Sequence, residues 1–334
     1  MPCTVIMLFT VFIPIFTTFK YSLKSFKLTD PSNIKYIGFR NYRNVLLSKD
    51  FHNALFNSIV ILIYVLILGL IVSLIVAMVL NKKSKINSLL TAIVVIPWAL
   101  PPLVNGIMWK FIFFPGYGLL NKIFVNMHII KEPISWINNR YLFLFVISVV
   151  LIWRIVPFSA IVILANLQNI PDEYYESIYL EGANSWQAFK EITLPLIIPS
   201  LGVVLINLTT TAVNVFDEII AISGYQFQNQ TLLVYDYSNT FNYMDFGTGS
   251  AISYIIMILT GVFGYLYVRN MTVEKVYRGW GVEKEKFSNL LYCSYINTYI
   301  LSWANNMVFY NKHNSWNTDV KSKLKDTSWQ IYFR

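Results

Sequence analysis

Residues that commonly carry out catalysis or bind metals are sparse in this sequence, and their spacing suits neither role. Two cysteines, Cys3 and Cys293, lie near opposite ends of the chain, and three histidines are scattered along it: His52, His128 and His313. Without a CxxC pair or a ladder of cysteines, the sequence predicts neither a disulfide framework nor a zinc site. A phosphate-binding GxxxxGK[ST] loop is also absent from the sequence. We therefore expect a chain that is not an enzyme and binds no metal or cofactor.

The charged residues with the greatest chemical interest lie within or beside apolar runs. Arg154 stands near the middle of the run 142–164, and Asp217 and Glu218 follow the run 196–216. A lone charge inside a membrane is costly, so each such residue calls for a partner or a role. Two interpretations are open. The charges could line a polar path through a helix bundle, or Arg154 could form a structural pair with one carboxylate or extend to the bilayer surface.

The composition indicates that these charges belong to a membrane protein. Of the 334 residues, 56% are hydrophobic and only 13% are charged, and the mean hydropathy is +0.52. Soluble domains are closer to a quarter charged. The net charge of +9 comes from lysines and arginines between the apolar runs, which is typical of a bilayer surface rather than of a nucleic-acid-binding protein.

Six apolar runs are long enough, or nearly so, to cross a bilayer, which takes about 20 residues. They are residues 5–19, 57–80, 91–114, 142–164, 196–216 and 247–268. The first run has no preceding basic stretch and no cleavage site of small residues, so we expect a retained helix rather than a secretory signal. The third run contains Pro97, Pro101 and Pro102 and should kink or break, with its irregular backbone buried or facing a water-filled cavity.

The segment 171–195, PDEYYESIYLEGANSWQAFKEITLP, is predicted to form two short helices around a turn. Pro171 suits the first turn of a helix, and Gly182 can end that helix in the left-handed conformation. Asn184 or Ser185 can cap the second helix. Its tyrosine, isoleucine, leucine, alanine and phenylalanine side chains are too apolar to face water alone, so we expect a partner protein to cover them.

The spacing within this segment resembles a known cytoplasmic motif. Glu176 is followed at the required interval by Gly182, and then by Ile192, Leu194 and Pro195. This is similar to the motif of permease subunits of bacterial and archaeal ABC importers, and the extended EGA…W…F…ITLP form resembles the branch that imports sugars and glycerol phosphates. Ser177 and Ile178 depart from the family pattern, which has two alanines there.

The resemblance extends over residues 5–280 and not only the loop. Two matching segments are GFRNYRNVL, before the second apolar run, and PGYGLLN, after the third run. The fourth run contributes Trp153, Arg154, Pro157 and Phe158. Around the fifth and sixth runs, the matching residues are Phe216, Asp217 and Asp245 to Gly247. A Gly-Gly-Pro turn usual in the family is replaced by residues 223–227, so we expect the outer loop to differ in shape from that of relatives.

The resemblance implies a fold and a set of partners. The fold would be an all-α membrane protein, with six transmembrane helices in a type I ABC importer permease bundle (residues 1–280) and a cytoplasmic helix-turn-helix coupling loop. The chain would sit in the plasma membrane as a multi-pass protein with its N-terminus in the cytoplasm. It would pair with a second permease, two ATP-binding subunits that hold ATP and Mg²⁺, and an extracytoplasmic substrate-binding protein, and would move a sugar or oligosaccharide. No nucleic acid is expected.

The resemblance also assigns residues. The ATPase-docking loop would use Glu176, Ser177, Tyr179, Glu181, Gly182, Ala183, Phe189, Ile192, Leu194 and Pro195. From the chemistry of aromatic, amide and charged groups, we expect the substrate pathway to draw on Trp98, Asn105, Trp109, Arg154, Asn207, Asn214 and Asp217. Each of these is also a residue type that commonly makes contacts between membrane helices.

Several alternatives stay open at this point. A gradient-driven secondary transporter could use Arg154 and Asp217 as coupling charges, although no second copy of the loop motif suggests an inverted repeat. A membrane scaffold is a further alternative. The distribution of basic residues does not decide the topology: seven lie between the first two runs and three in the loop after the second. Residues 281–334 could be an interfacial helix, a partner-binding tail or a coding artefact.

Overall fold

The computed structural model of the protein describes residues 2–82 and 84–271, and these are mostly helical. The predicted extension 281–334 lies outside the described residues. The helices are α1 Pro2–Ser22, α2 Arg40–Leu47, α3 Lys49–Leu80, α4 Asn87–Val95, α5 Pro102–Phe113, α6 Leu119–Asn126, α7 Arg140–Gln168, α8 Asp172–Leu180, α9 Ser185–Ala188, α10 Leu194–Val213, α11 Asp217–Ser223, α12 Leu232–Tyr237 and α13 Phe246–Met271. A two-stranded antiparallel hairpin, β1 Lys24–Ser25 and β2 Lys35–Tyr36, follows α1.

Four helices in the described part of the chain are long and apolar enough to cross a membrane. They are Lys49–Leu80, Arg140–Gln168, Ser185–Val213 and Phe246–Leu266, and a bent pair made of Asn87–Ala99 and Pro102–Phe113 gives a fifth. These five correspond to the second to sixth predicted runs. The first predicted run forms α1, which is not among the five, so the count of six stays a prediction.

The predicted break in the third run is confirmed, and its cause is local. A 3₁₀ turn, Ile96–Ala99, contains Pro97 and ends α4. Leu100 and Pro101 are then extended, with ψ of 132° and 140°. Proline removes a backbone donor and pushes the residue before it out of the helical region. The two halves of the run are consequently bent by 98° from each other.

The centre of the bundle is α7, which is buried over most of its length and packs against α3 and α10. On α3, the small residues Ala54, Gly69, Ser73 and Ala77 are all buried, and a Cβ on Gly69 would meet Leu208 of α10 and Ile152 of α7. Small side chains let membrane helices approach closely, since lipid supplies no hydrophobic drive for their association. The opposite face of α3 exposes isoleucines, as expected of a surface in contact with lipid.

A network of amides ties the start of α3 to the start of α7. Arg140 donates from Nε to Asn57 Oδ1 at 2.9 Å, and Asn57 Nδ2 donates to the carbonyl oxygens of Gln228 and Gln230 at 3.0 and 2.8 Å. The hydroxyl of Ser58 accepts from the backbone N–H of Leu232 at 2.9 Å. The segment between α11 and α12 therefore sits on the same end of the bundle as the first turns of α3 and α7.

The short helix α11 packs closely against α5, and a glycine makes this possible. A Cβ placed on Gly106 would lie 2.6 Å from Ala221 Cβ and 2.9 Å from Glu218 Cα. Any side chain at position 106 would push the two helices apart. The chain thus turns back after α10 and presses a seven-residue helix against the broken third run.

Replacing Gly106 by alanine should therefore destabilise the protein, because overpacking a tight contact costs about 1–3 kcal/mol. Gly261→Ala is a matched control within another helix, since nothing lies within 4 Å of a Cβ there and alanine favours a helix over glycine by about 0.8–1 kcal/mol. Thermal unfolding in detergent should give a lower midpoint for Gly106→Ala and an unchanged or higher one for Gly261→Ala. Equal midpoints for both variants would contradict the close contact between α5 and α11.

Candidate functional site

The segment 171–195 forms two short helices around a turn. α8 begins at Asp172, directly after Pro171, and carries Asp172 and Glu173 in its first turn, where negative charge is favourable. It ends at Leu180, and Gly182 then has φ of +84°, the left-handed conformation that the sequence predicts for it. Nothing lies within 4 Å of a Cβ on Gly182, so the position requires glycine for its backbone and not for space.

The second helix starts with a capping box. Asn184 Oδ1 accepts from the backbone N–H of Gln187 at 2.9 Å, and Gln187 Oε1 accepts from the N–H of Asn184 at 2.8 Å. Of the two predicted caps, the structure thus has Asn184 and not Ser185. α9 then continues through a wide π turn, Phe189–Thr193, directly into α10. The second arm of the loop is consequently continuous with the following span.

The two arms of the loop are joined by side chains. The hydroxyl groups of Tyr175 on α8 and Thr193 in the π turn are hydrogen-bonded at 2.9 Å. Ile178, where the family pattern has alanine, is buried, as is Ala188. The larger isoleucine is therefore accommodated in a buried position, and the turn at Gly182 keeps its left-handed conformation.

The outer surface of the loop is strongly apolar. Leu180 is 88% exposed and Trp186 69%, and the Trp186 ring stacks on Phe189 with 5.5 Å between centroids. Sequence analysis missed Leu180 and Trp186, although the position of Leu180 beside the turn and the spacing of Trp186 three residues before Phe189 were visible signals. Of the predicted docking residues, Glu176, Ser177, Tyr179, Glu181, Gly182 and Pro195 are exposed, and Ala183, Phe189, Ile192 and Leu194 are half-buried.

A buried ion pair lies far from the loop, in the middle of the bundle. Arg154 on α7 contacts Glu218 Oε1 through both Nε and Nη2, each at 2.8 Å. Glu218 is only 2% exposed, whereas Asp217 beside it is exposed. The structural pair considered for Arg154 is thus present, and its partner is Glu218. The pair joins α7 to α11.

Polar and aromatic side chains of α5 lie beside this pair. Asn105 is buried and donates to the carbonyl oxygen of Val150 at 3.4 Å, while its Oδ1 and the Nε1 of Trp109 are buried without a hydrogen-bond partner. Trp109 also meets Trp153 edge to face, with 5.7 Å between centroids. Unpaired buried polar atoms are costly, which makes this cluster a place where a ligand or water would be favourable.

The other predicted pathway residues are dispersed. Trp98 stacks on Phe158 at 5.8 Å and is half exposed, one turn of α7 beyond Arg154. Asn207 accepts a hydrogen bond from Thr211, and Asn214 donates to the Thr210 carbonyl, so both bond within or at the end of α10. The structure therefore gathers Asn105, Trp109 and Arg154 in one cluster and places the remaining four predicted residues outside it.

A second buried carboxylate lies on α12, which packs against α13 and α3. Asp236 on α12 accepts hydrogen bonds from Ser253 Oγ at 2.6 Å and from Thr240 Oγ1 at 3.4 Å. Burial raises the pKa of Asp236 to about 7, against the smaller opposing effect of the two hydroxyl groups. This aspartate is therefore partly protonated near neutral pH.

Residues 69–272 match the family described as binding-protein-dependent transport system inner membrane component, which is well over half of the chain. The chain belongs to this family. It is a membrane permease of the binding-protein-dependent class. The two alternatives considered from the sequence, a gradient-driven transporter and a membrane scaffold, do not agree with this family. As a permease subunit it is not a nucleotide-binding enzyme.

Relatives with known roles support this assignment. The permease is 33% identical over 273 residues to the trehalose/maltose transport system permease protein MalF of Thermococcus litoralis, covering 80% of this chain and 90% of that protein. It is 31% identical over 250 residues to the alpha-glucoside transport system permease protein AglF of Rhizobium meliloti, covering 72% of each.

The fold is also found in a solved transporter. A crystal structure of a bacterial alginate ABC transporter, in complex with an alginate pentasaccharide-bound periplasmic protein, aligns with a TM-score of 0.69 at 20% identity and covers 80% of this chain and 90% of that one. At this identity the likeness shows a shared fold.

Breaking the central ion pair should destabilise the permease strongly. Glu218→Gln leaves Arg154 buried without a counter-charge, which costs about 3–5 kcal/mol, whereas replacing both partners by methionine removes both charges and should restore most of that loss. Asp217→Asn, the adjacent exposed carboxylate, is the control and should unfold like the wild type. Thermal unfolding in detergent measures all three. If the double variant is as unstable as Glu218→Gln, the two residues are not energetically coupled.

Asp236 should make stability depend on pH. Because its folded-state pKa of about 7 lies above its ordinary value, the contribution is fully present below about pH 4 and is lost as the pH rises through 7. Asp236→Asn should flatten this part of the profile and unfold at a higher temperature than the wild type at pH 8. Asp50→Asn, at an exposed site, should keep the wild-type slope. A wild-type slope in Asp236→Asn would show that this carboxylate is not the titrating group.

Proposed function

We propose that the permease is the membrane-spanning subunit of an ATP-driven importer for a sugar or oligosaccharide, and that its α8–α9 loop docks on an ATP-hydrolysing subunit. The observation that carries the proposal is the apolar outer surface of this loop, whose second arm is continuous with α10. A surface with Leu180 and Trp186 exposed to this degree is typical of a protein contact. In the following paragraphs, "docking loop" means residues 171–195.

The connections of the docking loop suit the transmission of movement. At its start, α8 follows α7 after three residues, and at its end the π turn leads into α10 without a break. The hydrogen bond between Tyr175 and Thr193 holds both arms together. A displacement of the docking loop by the ATPase would therefore move α7 and α10 jointly. Since α7 carries Arg154, that movement would reach the middle of the bundle.

A carbohydrate cargo is supported by the relatives and by the side chains near the ion pair. The relatives are named for trehalose and maltose and for alpha-glucosides, and the solved transporter was captured with an alginate pentasaccharide at its periplasmic protein. In this chain, Trp98 with Phe158 and Trp109 with Trp153 offer aromatic faces beside polar groups. Binding sites commonly combine apolar aromatic walls with a few placed polar groups.

The proposed assembly assigns the missing functions to other chains. ATP and Mg²⁺ would be held by two ATP-binding subunits, a second permease would complete the pathway, and an extracytoplasmic binding protein would deliver the cargo. The docking loop and the N-terminus would face the cytoplasm. α1 would cross the membrane as well and bring the number of spans to six. The pathway would open outward when the ATPases close and inward after hydrolysis, by alternating access.

The docking loop can be tested by its glycine. Gly182→Pro is incompatible with φ of +84° because proline fixes φ near −65°, whereas Gly182→Asn can adopt the left-handed conformation. In the reconstituted complex, ATP hydrolysis stimulated by cargo-loaded binding protein should fall by about tenfold or more in the proline variant, a loss of about 1.4 kcal/mol of coupling, and persist in the asparagine variant. Stimulation that survives Gly182→Pro in an assembled complex would overturn the docking role.

The cargo is tested separately in the same proteoliposomes. Uptake of radiolabelled glucosides and oligosaccharides is compared with uptake of amino acids and of inorganic anions, each with the cognate binding protein. ATP-dependent accumulation of a saccharide is the expected result. Accumulation of an amino acid or inorganic anion, with no saccharide taken up, would overturn the carbohydrate assignment and leave the transporter family intact.

A further inference from the structure

The segment between α1 and α3 presents an exposed surface of basic and large apolar side chains, which we call the hairpin surface. Its residues are Lys35 and Tyr36 on β2, Phe39 before α2, and Arg40, Arg43 and Leu47 on α2. Tyr36, Phe39 and Leu47 are 72%, 68% and 71% exposed. We propose that the hairpin surface binds the anionic headgroups of phospholipids, with its apolar residues entering the outer part of the acyl layer.

The hairpin surface lies at the end of the bundle opposite the docking loop. The starts of α3 and α7 meet through Arg140 and Asn57. At the other end, Leu80 of α3 and Gln168 of α7 line one cavity together with Asp172 of α8, where the docking loop begins. Because α2 leads directly into α3 at Lys49, the hairpin surface belongs to the first end.

The position of the hairpin surface along the axis of α3 corresponds to the headgroup layer of the membrane. A helix of 32 residues such as α3 is about 48 Å long at about 1.5 Å per residue, whereas the hydrocarbon layer is about 30 Å thick. The apolar run of α3 begins at Asn57, so the turns from Lys49 onward emerge from the hydrocarbon. α2 packs beside these turns and beside α13. The hairpin surface is therefore at the boundary between lipid and water.

Backbone contacts hold the segment at this level. Asn41 Nδ2 donates to the carbonyl oxygens of Ser22 and Lys24 at 2.8 and 2.9 Å. The N–H of Gly247, at the start of α13, donates to the Phe26 carbonyl at 3.0 Å. A Cβ on Gly247 would overlap the Lys24 carbonyl oxygen, so the hairpin is pressed directly on α13. The surface is thus a fixed part of the bundle.

The arrangement of side chains on α2 fits a lipid interface. Asn41 and Val45 are buried against the bundle, and the outer face carries two arginines followed by two leucines: Arg40, Arg43, Leu46 and Leu47 are exposed. In water, such leucines and aromatic rings would be poorly accommodated. At a bilayer surface, apolar side chains enter the acyl boundary while the long basic side chains reach the phosphates. Tyrosine is also enriched at this depth.

Charge favours an anionic partner. Residues 24–49 contain six lysines and arginines and one acidic residue, Asp30. Of the cations, Lys27 forms an ion pair with Asp245 at 3.5 Å, and Lys35, Arg40 and Arg43 are exposed. Basic residues at a membrane surface attract anionic lipid. Basic residues normally mark the cytoplasmic side of a membrane protein. If those of the hairpin surface bind lipid headgroups at the opposite side, this explains why the count of basic residues does not decide the topology of the chain.

Lipid retention by the full-length permease tests the proposal. The purified protein is incubated with mixed micelles containing equal amounts of phosphatidylglycerol and phosphatidylethanolamine, and bound lipids are counted by native mass spectrometry. The test variant is Lys35→Gln/Arg40→Gln/Arg43→Gln, and Lys85→Gln/Lys122→Gln/Lys131→Gln removes three exposed lysines elsewhere. We expect the wild type and the control to prefer phosphatidylglycerol, and the test variant to lose at least about threefold of that preference.

A second variant separates lipid from protein docking. Phe39→Ser/Leu47→Ser keeps every charge and should also reduce retained phosphatidylglycerol, because the apolar contacts with the acyl layer are lost. Equal phosphatidylglycerol retention by the test and control variants, both eluting as one species on size exclusion, would overturn the proposal. So would unchanged lipid retention combined with weakened binding of an extracytoplasmic binding protein, which would assign the hairpin surface to that partner.

Discussion

The buried pair between Arg154 and Glu218 is the constraint on which the centre of the permease depends. An arginine in the middle of a spanning helix needs a counter-charge at the same depth. The chain supplies it by ending α10 at Val213 and returning α11 into the bundle, so that Glu218 meets α7 at 2.8 Å. For α11 to fit, there must be room for it beside α5, the second half of the third run. The missing side chain at Gly106 provides that room, since a Cβ there would lie 2.6 Å from Ala221 Cβ.

Features set by local chemistry could be predicted from the sequence. Prolines at 97, 101 and 102 break the third run wherever it packs, and Gly182 ends α8 because the turn needs a left-handed residue. Five spans follow from length and composition alone. The choice of Glu218 over Asp217 could not be predicted, because adjacent residues on a helix point about 100° apart. Which of them faces Arg154 depends on how α11 is rotated against α5.

The same distinction applies to the docking loop. Its turn and its helices follow from the sequence, and so does the expectation of a partner. The exposure of Leu180 and Trp186 and the burial of Ile178 depend instead on how α8 lies against the π turn. That contact is made by Tyr175 and Thr193, eighteen residues apart in sequence. The π turn is also invisible in the sequence, because its residues would suit an ordinary helical turn equally well.

α7 is the element that connects the two ends of the permease. Arg140 at its start is fixed to α3, Arg154 in its middle to α11, and its last residues lead into the docking loop. Because α7 is buried between α3 and α10, it has little freedom to bend sideways. Its weak point is Pro157, which lacks a backbone donor, so the Trp153 carbonyl one turn earlier has no helical partner. A force on the docking loop would therefore act on α7 most readily just beyond Arg154. Movement of the part beyond Pro157 would shift the aromatic pair of Phe158 and Trp98 relative to Trp109 and Trp153, and would be passed on to the ion pair at Arg154, one turn away.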